Sequence, residues 1–385
     1  MYKEILDWQQ EMVDVRHDIH ENPEIGFDVY RTSDIVAALL TAWGYDVHRG
    51  IGKTGLVGQL KLGDSPLRIG LRADMDALPM QEVTGLPYAS KIAGKSHSCG
   101  HDGNTTMLLA GARLLAERKS FNGTLNVIFQ PAEEGQGGGD AMVEDGLFDR
   151  FPCDYIFALH TMPNSPGNKL FYVKPGATLS SSDRVTINIK GRGGHGAEPQ
   201  NTVDPVVVGS ALVQALQSIV SRNTAPKDRA VVTVASFLAG NPSSFNIIPE
   251  TAQILISVRT TDNDVREMVI THIKRIAENV CAAYGATAEV IHQAIAKAVI
   301  NDAKAAQIAY DAALKVFPVD ECTDSFEPYM NSEDFSFMLD KCPGAYALFN
   351  NGETPNCHQP DYDFNDDLIT KGAEYWTSLV ESYLK

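Results

Sequence analysis

Residues 96–104 read SHSCGHDGN, placing two imidazoles, a thiol and a carboxylate within the six positions from His97 to Asp102. Cys99 and His101 are separated by one glycine, a spacing that lets both side chains face one ion from a loop. The segment opens the run TTMLLAGARLLAE, whose apolar pattern predicts a helix. A thiol at a helix amino terminus has a lowered pKa and becomes a better metal ligand. The competing reading is a small buried cysteine beside a helix-capping Asp102, with His97 structural or peripheral.

Other chemistry-bearing residues follow short apolar runs. LRIGLRADMD ends in Asp74 and Asp76, TLNVIFQPAEEGQGGG runs through Pro131 into Glu133 and Glu134, and YIFALH ends in His160. In open α/β sheets, sites form beyond the carboxyl ends of the strands. Each residue alone has an ordinary explanation: an aspartate after a strand forms a turn or a cap, and adjacent glutamates are solvated surface. Their convergence, joined to Cys99 and His101, favours a metal site. Thiolate, imidazole and carboxylate together suit zinc, manganese, cobalt or nickel, whereas calcium and magnesium take oxygen ligands. Further on, NCHQPDYDFND carries Cys357 and His358 in a polar loop, and His358 alone is undecided. Glu333 and Asp334 in YMNSEDFSFML stand at a helix start, where acids cap and complement the dipole.

These residues need a scaffold. The first half alternates helical patterns, such as RTSDIVAALLTAWGY with its stop at Gly44, and strand-like apolar runs, which predicts an α/β sheet with parallel members. From about Ser180 the order becomes strand, helix, strand, strand, helix, strand, the ferredoxin-like β-α-β-β-α-β unit. The expected architecture is a large α/β domain, residues 1–180 and 297–385, with an α+β domain inserted at 181–296. A chain of 385 residues exceeds one typical core, which agrees with two domains.

Composition narrows the function classes. A net charge of −17 argues against nucleic acid or anionic membrane as partner. The amino-terminal 27 residues read as a charged amphipathic helix without a signal-peptide core, and no apolar run approaches a membrane span. Six cysteines occur without a C-x-x-C pair, so reduced thiols and a cytoplasmic location are expected. GRGGHG at 191–196 matches a dinucleotide glycine pattern, but Pro199 interrupts the path to the helix and the acidic partner residue is missing. Neither a P-loop nor a G-x-S-x-G elbow is present.

Taken together, LRADMDALP, CGHDGN, FQPAEEGQGGG, ALH, GRGGHG, FNIIPETA, NSEDFS and CHQPDYDFND occur in the order found in the M20 metallopeptidase family. The chain most resembles its amidohydrolase subgroup, which includes hippurate hydrolases, N-acyl-amino-acid amidohydrolases and plant auxin-conjugate hydrolases. The resemblance implies two divalent metal ions per subunit in the large domain. It also implies that the inserted domain is a lid and the surface of a homodimer or higher homo-oligomer. Residue by residue, Cys99, His101, Glu134, His160 and His358 become metal ligands and Glu133 the general base. His195 becomes the group that polarises the scissile carbonyl, with Asn246 and Arg259 as substrate contacts. Asp74, and with it Asp102, would support the ligands from behind. The chain departs from the family pattern at Asn104 and Gln200, where many relatives carry histidine, and at Asn331, where many carry glycine; these bear on substrate preference. The implied reaction is hydrolysis of an N-acyl-L-amino acid. Cleavage of dipeptides or N-acetyl-diaminopimelate by the same machinery is the nearest alternative, and a catalytically silent binding protein is one of another class.

Overall fold

Strands buried on both faces read as continuous apolar runs, and Gly123–Gln130 and Gly344–Asn350 are buried at every position. In the computed structural model, which describes residues 2–385, they lie in an eight-stranded sheet. Its order is Asp46–Ile51, Gly55–Leu62, Gly123–Gln130, Arg68–Asp74, Tyr155–Met162, Gly344–Asn350, Phe171–Tyr172 and Cys322–Thr323. The third to sixth strands in that order are mutually parallel. Their carboxyl ends therefore reach one edge, where Asp74, the Glu133–Glu134 turn and His160 are delivered. The helix His101–Arg118 is buried along most of its length and packs against the carboxy-terminal helix Asp367–Tyr383 and the early helix Gln9–Glu21. This is the α/β class that the alternating patterns predict.

The chain divides into two units, each with its own apolar core. The first comprises the chain up to Thr178, Ile300–Glu327 and Asp334–Lys385; the second comprises Leu179–Val299 and Pro328–Glu333. The second contains a four-stranded antiparallel sheet, ordered Ala230–Ala239, Thr251–Thr260, Ser182–Lys190, Thr287–Ala296. Strand Thr251–Thr260 alternates buried and more exposed positions, as a sheet covered on one face must. The covering helices, Pro205–Ser218 and Asn263–Ala283, start at Asp204 and Asp262, whose carboxylates accept backbone N–H groups of the first turn. The expected boundaries gave residues 297–385 wholly to the larger domain, but Pro328–Glu333 groups with the second unit. Backbone bonding explains this: the Ser180 N–H donates to the carbonyls of Tyr329 and Asn331. Among the described residues, no helix is long and apolar enough to cross a membrane.

Candidate metal centre

Backbone geometry places the donors. Gly100, between Cys99 and His101, turns with φ 87°, and a Cβ there would lie 2.5 Å from the Tyr362 hydroxyl oxygen. Only glycine allows this loop to enter the helix with Cys99 and His101 on consecutive sides of the turn. After strand Gly123–Gln130, Ala132 takes φ 57° and the chain presents Glu133 and Glu134. Gly138 closes that turn with its N–H on the Ala132 carbonyl at 2.9 Å; a Cβ there would sit 1.7 Å from the Pro131 carbonyl oxygen. His358 also has positive φ, 64°, and its N–H donates to the Ser98 carbonyl at 2.7 Å. Non-glycine residues persist in this region only where their surroundings hold them, typically at functional sites.

The donor atoms of Cys99, His101 and His160 lie within 4.8 Å of one another, as do those of Cys99, Glu134 and His358. Cys99 is common to both groups, and the five expected ligands fill them. A third group joins His101, Glu133 and Glu134, which puts the expected base beside the ligands. His160 donates from Nδ1 to the Thr161 carbonyl at 2.7 Å, which sets Nε2 toward Cys99 Sγ at 3.8 Å. Glu134 Oε1 lies 3.3 Å from His358 Nε2 and 3.9 Å from His101 Nε2. Both ring nitrogens of His101 and Oε1 of Glu134 are buried without a hydrogen-bond partner. An unsatisfied buried polar atom costs about 1–3 kcal/mol, so several converging in one place fit a bound cation, and the donor types fit a borderline divalent ion.

Charges in the cluster sustain one another. Burial opposes ionisation of Glu134, but the adjacent His358 and His101 rings outweigh it and lower its pKa. The Glu134 carboxylate in turn raises that of His358. The helix-terminus effect expected for Cys99 is overridden: the adjoining Cys357 thiol, burial and the nearby Glu134 charge hold its thiol well above the ordinary value.

Several surrounding residues have roles that the sequence hides. Asp76 accepts the backbone N–H groups of Glu133 and Glu134 at 3.0 and 3.1 Å, and its Oδ1 is 3.5 Å from His101 Nδ1. Asp74, expected to orient a ligand, is slightly farther from that nitrogen at 4.0 Å. Burial works against its ionisation, yet His101 and Arg72 keep its carboxyl well below the usual range. Asp102 does not cap its helix. Its Oδ2 accepts from His20 Nδ1 at 2.7 Å and Arg16 Nη1 at 3.2 Å, and it joins none of the donor groups. His97 is buried with neither ring nitrogen partnered, and burial pulls its pKa down to about 4. Asn104 faces inward: it donates to Asp74 Oδ1 at 2.9 Å and accepts the Thr161 N–H at 3.3 Å. Asp334 is no cap either. Its carboxylate accepts from Gln130 Nε2 at 2.6 Å and the Gly139 N–H at 2.8 Å, while its own N–H donates to Glu133 Oε1 at 3.4 Å.

The remaining expected residues belong to the second unit. His195 pairs with Ile247 in a short antiparallel ladder, and the Gly196 N–H donates to the Asn246 carbonyl at 2.8 Å, so His195 and Asn246 are neighbours. Arg259 lies in strand Thr251–Thr260, half-buried, with Nη1 unpartnered. Gln200 sits in the turn Pro199–Asn201, and Asn331 is exposed in Pro328–Glu333.

Comparison with known proteins supplies the family. The profile of peptidase family M20/M25/M40 matches residues 70–382. A hippurate hydrolase of Campylobacter jejuni is 47% identical, with 99% of each chain covered. An Arabidopsis thaliana IAA-amino acid hydrolase, ILR1-like 2, is 36% identical, covering 99% of this chain and 86% of that one. The Bacillus subtilis YXEP protein, described as a dinuclear metal-binding peptidase of the M20 family, superposes with a TM-score of 0.85. It is 30% identical, with 98% of this chain and 99% of that one covered. A profile spanning most of the chain and relatives aligned from end to end lead to one conclusion: this chain belongs to peptidase family M20/M25/M40.

Proposed function

We propose that the protein is a metal-dependent amidohydrolase that cleaves N-acyl-L-amino acids, with benzoylglycine the first substrate to try, to a carboxylate and a free amino acid. The observation that carries this reading is the pair of donor groups sharing Cys99, with Glu133 beside them. The full-length likeness to a hippurate hydrolase supports the substrate class, and the likeness to a dinuclear metal-binding peptidase supports two divalent ions. Cys99, His101, Glu134, His160 and His358 would hold the ions, with zinc, manganese, cobalt and nickel all suited to the donors. Bound there, they supply Lewis acidity toward the carbonyl and lower the pKa of the attacking water.

The rest falls to side chains of this chain. Glu133 accepts a proton from the water as it attacks, and passes it to the amide nitrogen as the C–N bond breaks. The Asp334 N–H on Oε1 orients that carboxylate, and Asp76 fixes the backbone on which it stands. For His195, Asn246 and Arg259 we propose contacts to the substrate carbonyl and carboxylate, on the strength of the family resemblance. A lid role and self-association through the second unit, together with a cytoplasmic location, belong to the same reading. The presence of Glu133 and all five donors speaks against a silent binding protein.

The test is to strip the protein of metal, reload it with single metals and screen benzoyl-, acetyl- and indoleacetyl-amino acids. Amide hydrolysis with at least one metal is expected; none with any metal overturns the reading. Glu133→Gln should lose about 10²–10⁴-fold in turnover with its metal content unchanged, and turnover like that of the parent protein would remove Glu133 from the role.

A further inference from the structure

Among the described residues, Cys357 is the one thiol beside the donor cluster that the proposed chemistry does not use. Cys357 Sγ lies 3.9 Å from the Cys99 carbonyl oxygen, and the next backbone N–H, that of His358, donates to the carbonyl of Ser98 at 2.7 Å. The two cysteines thus stand opposite one another on paired segments. Both are only partly buried. Among the described residues, Cys357 enters none of the donor groups, whereas Cys99 enters two. A thiol that touches the shared donor without belonging to its groups is placed to react with it.

We propose that Cys99 and Cys357 form a peroxide-driven disulfide that removes the shared donor from both groups and expels the metal. One thiol attacks hydrogen peroxide, the O–O bond breaks, and a sulfenic acid and a molecule of water result. The second sulfur then displaces the sulfenic oxygen, which leaves as a second water. The two sulfurs together lose two electrons, the peroxide gains them, and the S–S bond replaces two S–H bonds. Thiol reductants reverse the step. Without Cys357, the sulfenic acid on Cys99 has no adjacent partner and advances to sulfinic acid, which such reductants do not restore.

The metal-release half of this inference rests on the proposed metal site; disulfide formation does not. Protein loaded with zinc is treated with hydrogen peroxide while a chromophoric chelator reports released zinc, and peptides are mapped by mass spectrometry. A Cys99–Cys357 linked peptide should appear in step with zinc release, and dithiothreitol followed by zinc should restore binding. In Cys357→Ser and Cys357→Ala, peroxide should leave Cys99 as sulfinic acid, and dithiothreitol should recover less than about a tenth of the zinc binding that the parent protein regains. The proposal is overturned if these variants recover as fully as the parent protein, or if peroxide links other cysteines, such as Cys153 with Cys342, while the Cys99–Cys357 peptide stays absent. If untreated protein binds no zinc but still forms the linked peptide, the metal reading fails and the thiol pairing stands.

Discussion

Asn104 uses both ends of its amide, one on Asp74 and one on the backbone N–H next to His160. It therefore ties the strand ending in Asp74 to the strand carrying a candidate ligand. Its departure from the family pattern is expected to bear on substrate preference; its observed bonds place it in the support of the donors. Groups that orient metal ligands typically change metal affinity by about 10–100-fold when removed. Asn104→Ala should accordingly weaken zinc binding by about that factor, as measured by competition with a chromophoric chelator. At saturating metal, the order of preference among acyl-amino acids should stay as it was. A changed preference with intact metal affinity would return Asn104 to the substrate side. Cys99, His101, Glu134 and His160 were legible as a possible cluster because cysteine, histidine and glutamate at strand ends and helix starts have few other reasons to converge, whereas His358 entered only through the family resemblance. Asp76 and Asp334 were not, since their work is to accept backbone N–H groups, a task no side-chain pattern announces.

At the scale of elements, the parallel strands and the β-α-β-β-α-β unit were written in apolar runs and their spacing, because burial dictates those patterns. The fastening of the amino-terminal helix Gln9–Glu21 was not. Its Arg16 and His20 look like ordinary charges on an amphipathic face, yet both are buried, and their partner Asp102 lies 86 and 82 residues away. Arg16 also pairs with Asp366 at 2.6 Å, beyond the loop of His358. Burial disfavours the charged His20, but the Asp102 carboxylate more than compensates and raises its pKa to about 9. A raised pKa means that the ion pair stabilises the fold fully below the ordinary value of 6.5 and that this stabilisation is lost as pH rises through 9. The gap corresponds to about 3 kcal/mol. The stability advantage of the parent protein over His20→Gln, measured by urea unfolding, should be large at pH 6 and shrink steadily toward pH 9.5. An advantage independent of pH would show that His20 is neutral in the fold. Gly100→Ala tests the other end of the same junction. Positive φ and the Tyr362 hydroxyl both oppose a Cβ, so a loss of about 2 kcal/mol or more is expected, with metal binding impaired beyond that of Asn104→Ala.

At the scale of the whole molecule, the candidate ligands and the base all belong to the first unit, whose core is separate from that of the second. A ligand that binds only the folded form stabilises it by RT ln(1 + [L]/Kd), about 2.7 kcal/mol at a hundredfold excess over Kd. For a unit of this size, that shifts its midpoint upward by roughly 5–10 °C. With two separate cores, two cooperative transitions are expected, and the added metal should move only the one belonging to the unit that holds the donors. Calorimetry with and without zinc would show one endotherm displaced and the other fixed, and limited proteolysis sampled between the two temperatures would identify which unit has opened. Cys99→Ala removes the donor common to both groups, so it should abolish the displacement rather than halve it, whereas His358→Ala, which touches one group, should leave part of it. Equal losses in the two variants would mean that the two groups bind as one site, and a displacement surviving in Cys99→Ala would place the stabilising metal elsewhere in the protein.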